Sequence, residues 1–195
     1  LGQGDDQPST VPLVVKGLDG RITSVACGNY HAIAVMDDGS SYSWGSNAYG
    51  QLGTGDSRNR YEPVRIDVPP PAAVGDQCEI ASAAAGANHT FLIGSCGEMY
   101  SMGAGGQGQL ALGGYRDYNV AQLLTAYPDV WKPEQAISKV AKLACSGNRT
   151  LLVSDSGDMY TCGANPLSSS TPSSPGNAAI QSNSNTFEME TRFQE

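Results

Sequence analysis

Residues 22–55 read ITSVACGNYHAIAVMDDGSSYSWGSNAYGQLGTG, and the rest of the chain repeats this stretch. Gly28, His31, Gly39, Tyr42, Gly45, Gly50, Gln51, Leu52 and Gly55 recur 58 positions later as Gly86, His89, Gly97, Tyr100, Gly103, Gly108, Gln109, Leu110 and Gly113. A third copy stands 60 positions beyond the second: Thr150, Gly157, Tyr160 and Gly163 answer Thr90, Gly97, Tyr100 and Gly103, and its end is lost. The chain opens on the end of an earlier copy, since Leu1, Gly2, Gly4 and Asp5 match Leu52, Gly53, Gly55 and Asp56 at an offset of 51. A fixed period of this size outranks any single motif, because each copy is one unit that buries its faces only by stacking on its neighbours.

Within a copy, short apolar or alternating runs (ITSVAC, HAIAVM, SYSW) are cut by Gly-bearing turns. That is the two-residue period of strands, with no helical stripe. Asp38-Gly39 between HAIAVM and SYSW predicts a tight hairpin of primed type, in which Gly accepts positive φ without strain. Gly97 and Gly157 occupy the same place, while Gly28 and Gly86 mark the reversal between first and second strands. The fold class that follows is all-β: about three four-stranded antiparallel blades of a β-propeller.

At GNYHAIAVMDDGSSYSWGSNAYGQLGTGD, echoed by GANHTFLIGSCGEMYSMGAGGQGQL, the chain resembles the repeats of the regulator of chromosome condensation family. The resemblance runs over roughly residues 1–165 and implies a propeller of usually seven blades. The third copy departs from it: Ser146 stands for the first Gly, Arg149 for His, and no GQLG follows. The division expected is the end of a preceding repeat at 1–20, repeats at 21–79, 80–139 and 140–163, and a Ser/Asn/Pro-rich tail or linker at 164–195. PLVV is expected as an edge strand. For the tail, composition argues for disorder, with capture by a partner or a last strand in NTFEMETRF as alternatives. Three blades do not close a ring, and a start inside a repeat without Met predicts a fragment of a longer protein.

The net charge of −8 and eleven scattered basic residues exclude non-specific nucleic-acid binding through this portion, which depends on Lys and Arg neutralising phosphates. No apolar run approaches the roughly 20 residues that span a bilayer. Cys27, Cys78, Cys96, Cys145 and Cys162 show no CxxC spacing. They are read as free structural thiols of a reducing compartment, with disulfides or metal as the minority reading. The localisation expected is intracellular, cytoplasmic rather than nuclear.

No catalytic constellation emerges. His31 and His89 recur at one repeat position, with Arg149 in the third copy, so a backbone-locking role outweighs a metal site. Gly103 to Gly108 spell GxGxxG, but QLALGGY is no helix on which a pyrophosphate would sit, and repeat punctuation explains the glycines. No cofactor, no metal and no enzymatic activity are expected. The leading function is a non-enzymatic scaffold for a protein partner, through turns that some family members use for recognition. Those are Asn29 and Tyr30, Ala87 and Asn88, and Gly147 and Asn148, with Tyr30 foremost. The aromatic exit of the second copy, with Tyr115, Tyr118 and Trp131, either packs on the blade edge or contacts a partner. The alternative, implied by the family's founding member, is guanine-nucleotide exchange on a Ran-like small GTPase. The family's plant ultraviolet-B photoreceptors carry tryptophans in GWRHT-like turns; the turns here read GNYHA, GANHT and SGNRT.

Overall fold

The computed structural model describes residues 1–70, 78–124, 140–165 and 188–189. Three four-stranded antiparallel sheets follow one another along the chain. Blade 1 holds β1 (Ile22–Cys27), β2 (His31–Met36), β3 (Ser41–Gly45) and β4 (Arg60–Arg65). Blade 2 holds β5 (Ile80–Ala85), β6 (His89–Gly94), β7 (Met99–Gly103) and β8 (Tyr118–Leu123). Blade 3 holds β9 (Val140–Ser146), β10 (Arg149–Ser154), β11 (Met159–Gly163) and β12 (Glu188–Met189). The first strands lie against one another and mark the inner edge; the fourth strands are outermost.

The repeat extends to register. His31 faces Gly45 as His89 faces Gly103 and Arg149 faces Gly163. Ile22/Ser24 and Ile80/Ser82 carry the same slip in the first strand. Pro63 lies on β4, an outer strand, where its missing N–H costs no ladder bond. Glu188–Met189 pairs with Thr161 and Tyr160, as Gln122 and Leu123 pair with Ser101 and Tyr100. The copy that opens the chain also docks as its repeat equivalent does. The Gly4 amide donates to the Tyr61 carbonyl as the Gly55 amide donates to Asn119, 58 residues on.

Two seams hold the blades together. Ile33, Val35, Ile66, Ile80, Leu92, Tyr100, Met102 and Ala121 form the first, and Phe91, Met99, Ala111, Leu152, Tyr160 and Cys162 the second. Ile33, Leu92 and Leu152 are fully buried, and each such side chain contributes roughly 2 kcal/mol by leaving water.

Three expectations are corrected. The hairpin at Asp38-Gly39 is not of primed type: the Gly39 amide donates to Met36 and the Met36 amide to Ser40, closing a three-residue loop in which only Gly39 has positive φ, +77°. This is a type I turn followed by a left-handed glycine, repeated at Gly97 and Gly157, and it matches strand twist through that one residue. The cysteines are not all free, since Cys78 and Cys96 form a disulfide with Cα atoms 5.6 Å apart, while Cys27, Cys145 and Cys162 are thiols. Residues 12–15 are not a strand: a strand exists as half of a ladder, and there the Val14 carbonyl meets only the Gln3 amide, with Val14 84% exposed.

Candidate functional site

The turns between first and second strands are built around histidine. In blades 1 and 2 the Gly28 and Gly86 amides donate to the carbonyls of His31 and His89 at 2.9 Å. Neither glycine has positive φ, so the requirement is for space. A Cβ on Gly28 would run into the His31 ring and the Gly86 carbonyl; on Gly86 it would meet the His89 ring and the Gly147 carbonyl. In blade 3, where Arg149 brings no ring, Ser146 fits.

Each histidine reaches into the next blade. His31 Nε2 lies 2.9 Å from Thr90 Oγ1, and Thr90 donates to the Gln51 carbonyl at 2.8 Å. His89 Nε2 lies 3.0 Å from Thr150 Oγ1, which donates to the Gln109 carbonyl at 2.9 Å. A hydroxyl has one proton to give. With it committed to the carbonyl, Nε2 must donate, and each ring is the neutral Nε2–H tautomer. Both Nδ1 atoms are buried without a hydrogen-bond partner. Burial lowers both imidazoles to about 4, opposed at His31 by the nearby backbone of His89 and reinforced at His89 by the proximity of His31.

Backbone links then run from turn to turn. The Asn29 amide donates to the Ala87 carbonyl at 3.2 Å, and the Ala87 amide to the Gly147 carbonyl at 2.7 Å. The next carbonyls, of Tyr30, Asn88 and Asn148, accept from Ser46, Ala104 and Ala164. Gly45, Gly103 and Gly163, all near φ +100°, let those carbonyls approach. The three turns are therefore one hydrogen-bonded rim.

On that rim Asn29 is exposed, Tyr30 is 76% exposed, Ala87 and Asn88 are half-buried, and Gly147 and Asn148 are exposed. Tyr118 opens β8 opposite Gly103, at the same end of blade 2 as His89 and Asn88, and is half-buried. Tyr115 precedes it on the β7–β8 loop and is exposed. Trp131 lies outside the described residues. Gly39 and Gly97 sit at the opposite end, in the β2–β3 and β6–β7 turns.

Two aromatics at this end went unread in the sequence: Tyr49 in the β3–β4 loop and Tyr61 on β4, both about half exposed. Their signal was departure from the repeat, since the second copy has Gln107 and Asn119 in their places. The loop bearing Tyr49 is held by buried Asn47, whose amide donates to Asp56 and whose carbonyl oxygen accepts from Leu52. Arg60 closes it on Asp56 at 2.8 Å and, by that hydrogen bond, holds the carboxyl down to about 2. Gly103 ends β7 and residues 104–108 lie in a turn-rich loop, with no helix after them. Among the described residues no helix is long and apolar enough to cross a membrane.

A model described as the regulator of chromosome condensation (RCC1) repeat matches residues 1–35 and 38–93, and a second of the same description matches 22–51. The ultraviolet-B receptor UVR8 of Arabidopsis thaliana is 35% identical over 164 residues, covering 84% of this chain and 34% of that protein. The chain thus spans about a third of that relative's length. Human WBSCR16 superposes with a TM-score of 0.66 at 22% identity, over 89% of this chain and 39% of that one. Prp20p of Saccharomyces cerevisiae, a structure described with its binding properties to Gsp1p and histones, does so at 0.58 and 24%, over 71% and 32%. The chain belongs to the regulator of chromosome condensation repeat family, matched by sequence over residues 1–35 and 38–93, and its fold is that of the family's β-propeller.

Proposed function

We propose that this chain is part of a non-enzymatic scaffold whose rim of turns binds a protein partner. The observation that carries the reading is the backbone chain Asn29–Ala87–Gly147, which holds Tyr30 on a surface already rigid before binding. An exposed tyrosine on a fixed backbone presents large area at little entropic cost. Asn29, Asn88 and Asn148 add polar groups beside it, and Tyr115 and Tyr118 extend the surface along the second blade; Trp131, outside the described residues, is assigned to the partner from its place in the sequence alone. The acidic balance favours a partner with basic character over nucleic acid. No membrane role and no cofactor enter the reading, and we place the protein inside the cell, in the cytoplasm.

The second reading is guanine-nucleotide exchange on a Ran-like small GTPase. It is favoured by the likeness to Prp20p, whose description names Gsp1p. The test is capture of partners by the full-length protein from its own extract, wild type against a Tyr30→Ala, Asn88→Ala double variant. A stoichiometric partner lost in the variant supports the scaffold. A small GTPase retained most strongly after nucleotide is stripped with chelator replaces it with exchange.

A further inference from the structure

The β-hairpin turns at the end of each blade opposite the rim carry facing side chains two residues apart. In blade 1 the Ser40 hydroxyl donates to Asp38 at 2.6 Å, and in blade 3 the Ser156 hydroxyl donates to Asp158 at 2.8 Å. In blade 2 the same two positions are Cys96 and Glu98, and a third group, Cys78, arrives from the connection that leads into β5. The two sulfurs and a Glu98 carboxylate oxygen lie within 4.8 Å of one another. Glu98 folds back over Gly94, with Oε2 2.7 Å from where a Cβ would stand. The other blades have Met36 and Ser154 there, so the carboxylate occupies room that only this blade leaves. Oε2 is buried and has no hydrogen-bond partner, which leaves a buried carboxylate oxygen beside the two sulfurs with its acceptor capacity unused.

We propose that Cys78, Cys96 and Glu98 are a redox-gated site for a thiophilic divalent cation of the zinc class. Two thiolates and a carboxylate are a borderline-soft, anionic set of the kind zinc takes with a water in the fourth place. A tetrahedral ion with Zn–S near 2.3 Å needs sulfurs roughly 3.8 Å apart, which side-chain rotation supplies at a Cα separation of 5.6 Å. A dithiol reductant opens the gate: it gives two electrons and two protons to the Cys78–Cys96 bond and is itself oxidised to a disulfide. Each cysteine then loses its proton to solvent as its sulfur binds the cation. A disulfide oxidant closes it again by thiol–disulfide exchange: it takes two electrons from the Cys78 and Cys96 thiolates and two protons from solvent, leaves as two thiols, and the re-formed sulfur–sulfur bond releases the ion. The turn is thus held closed either by the sulfur–sulfur bond or by the metal.

The test uses the full chain carrying Cys27→Ser, which removes the exposed thiol, reduced with dithiothreitol and freed of it without air. Zn2+ is titrated against a chromophoric chelator, and Co2+ reports thiolate ligation by its charge-transfer absorption. The expected result is one equivalent bound by the reduced chain and none by the oxidised chain. Cys96→Ser should abolish binding, and Glu98→Gln, which keeps the disulfide available, should weaken it about tenfold or more. The proposal is overturned if the reduced chain binds no Zn2+ at micromolar concentration, if Cys96→Ser binds as well as its parent, or if Glu98→Gln leaves affinity unchanged.

Discussion

Acid should loosen the seams between blades in a window that belongs to His31 and His89. Both imidazoles are held near 4 in the folded chain, against 6.5 in an exposed one. Because the folded value is the lower, the unfolded chain takes up protons first, and stability falls as pH drops from about 6.5 toward 4. At pH 5 the unfolded form of each histidine is almost fully protonated and the folded form about a tenth. From pH 7 to pH 5 the loss is roughly 2 kcal/mol for each histidine and about 4 kcal/mol for both. Total stabilities are about 5–15 kcal/mol, so this is a large share. Asp56 and Asp38 stay out of this window: Asp56 is held at about 2 by Arg60 and Asp38 is lowered by Ser40. Their stabilising contribution is present above an unfolded value of 3.8 and is lost only below it. The assay is urea unfolding followed by circular dichroism at pH 7, 6 and 5, comparing the wild type with a His31→Gln, His89→Gln variant. Gln can still donate to Thr90 and Thr150 but takes up no proton. If both proteins lose the same stability between pH 7 and 5, the neutral, buried Nε2–H assignment is wrong.

Three further outcomes follow from the same geometry. Thr90→Val keeps shape but strands the His31 Nε2–H and the Gln51 carbonyl, costing about 2–4 kcal/mol in urea unfolding, whereas Thr90→Ser should recover most of it. Gly28→Ala places a methyl group on the His31 ring and the Gly86 carbonyl and should destabilise by more than about 2 kcal/mol. Gly106→Ala, in open space at ordinary φ, should stay within about 0.5 kcal/mol, and equal melting of these two glycine variants would refute the packing account. Tyr30→Ala should likewise leave stability within about 0.5 kcal/mol while removing the partner in a binding assay; a large loss of stability would make Tyr30 a packing residue instead.

Much of this architecture was legible because strand punctuation is local chemistry. The left-handed glycines at 39, 97 and 157 and the strand runs between them follow from residue type alone. The offset of 51 aligned Gly2 and Gly4 with Gly53 and Gly55, so the opening residues were legible as the end of a repeat, and the structure docks that end on Tyr61. What could not be read was what depends on a neighbouring blade. Thr90 looks like an ordinary strand residue; only the adjacent His31 and the Gln51 carbonyl make it a buried relay. Gly28 was read as a reversal point, yet its small size is set by a ring three residues on and a carbonyl of the next blade. Cys78 and Cys96 share no telling spacing, because a hairpin rather than a short loop brings them together.

The relay also separates the two inner seams from the outer faces. It needs a histidine and a glutamine carbonyl on one blade and a threonine on the next. Position 90 is Thr and position 150 is Thr, but the same place in blade 1 is Ala32, and blade 3 has Arg149 where the donor histidine would be. The receiving row of blade 1 is Cys27, Ala32 and Trp44, bonded across β1, β2 and β3. Those residues line a mostly apolar groove of about 500 Å3 beside Tyr30. A blade packed on that face finds no hydroxyl, so a histidine donor there would be buried without an acceptor at a cost of about 1–3 kcal/mol. The relay is thus confined to the two inner seams, the polar, directional ones that set the register of these three blades.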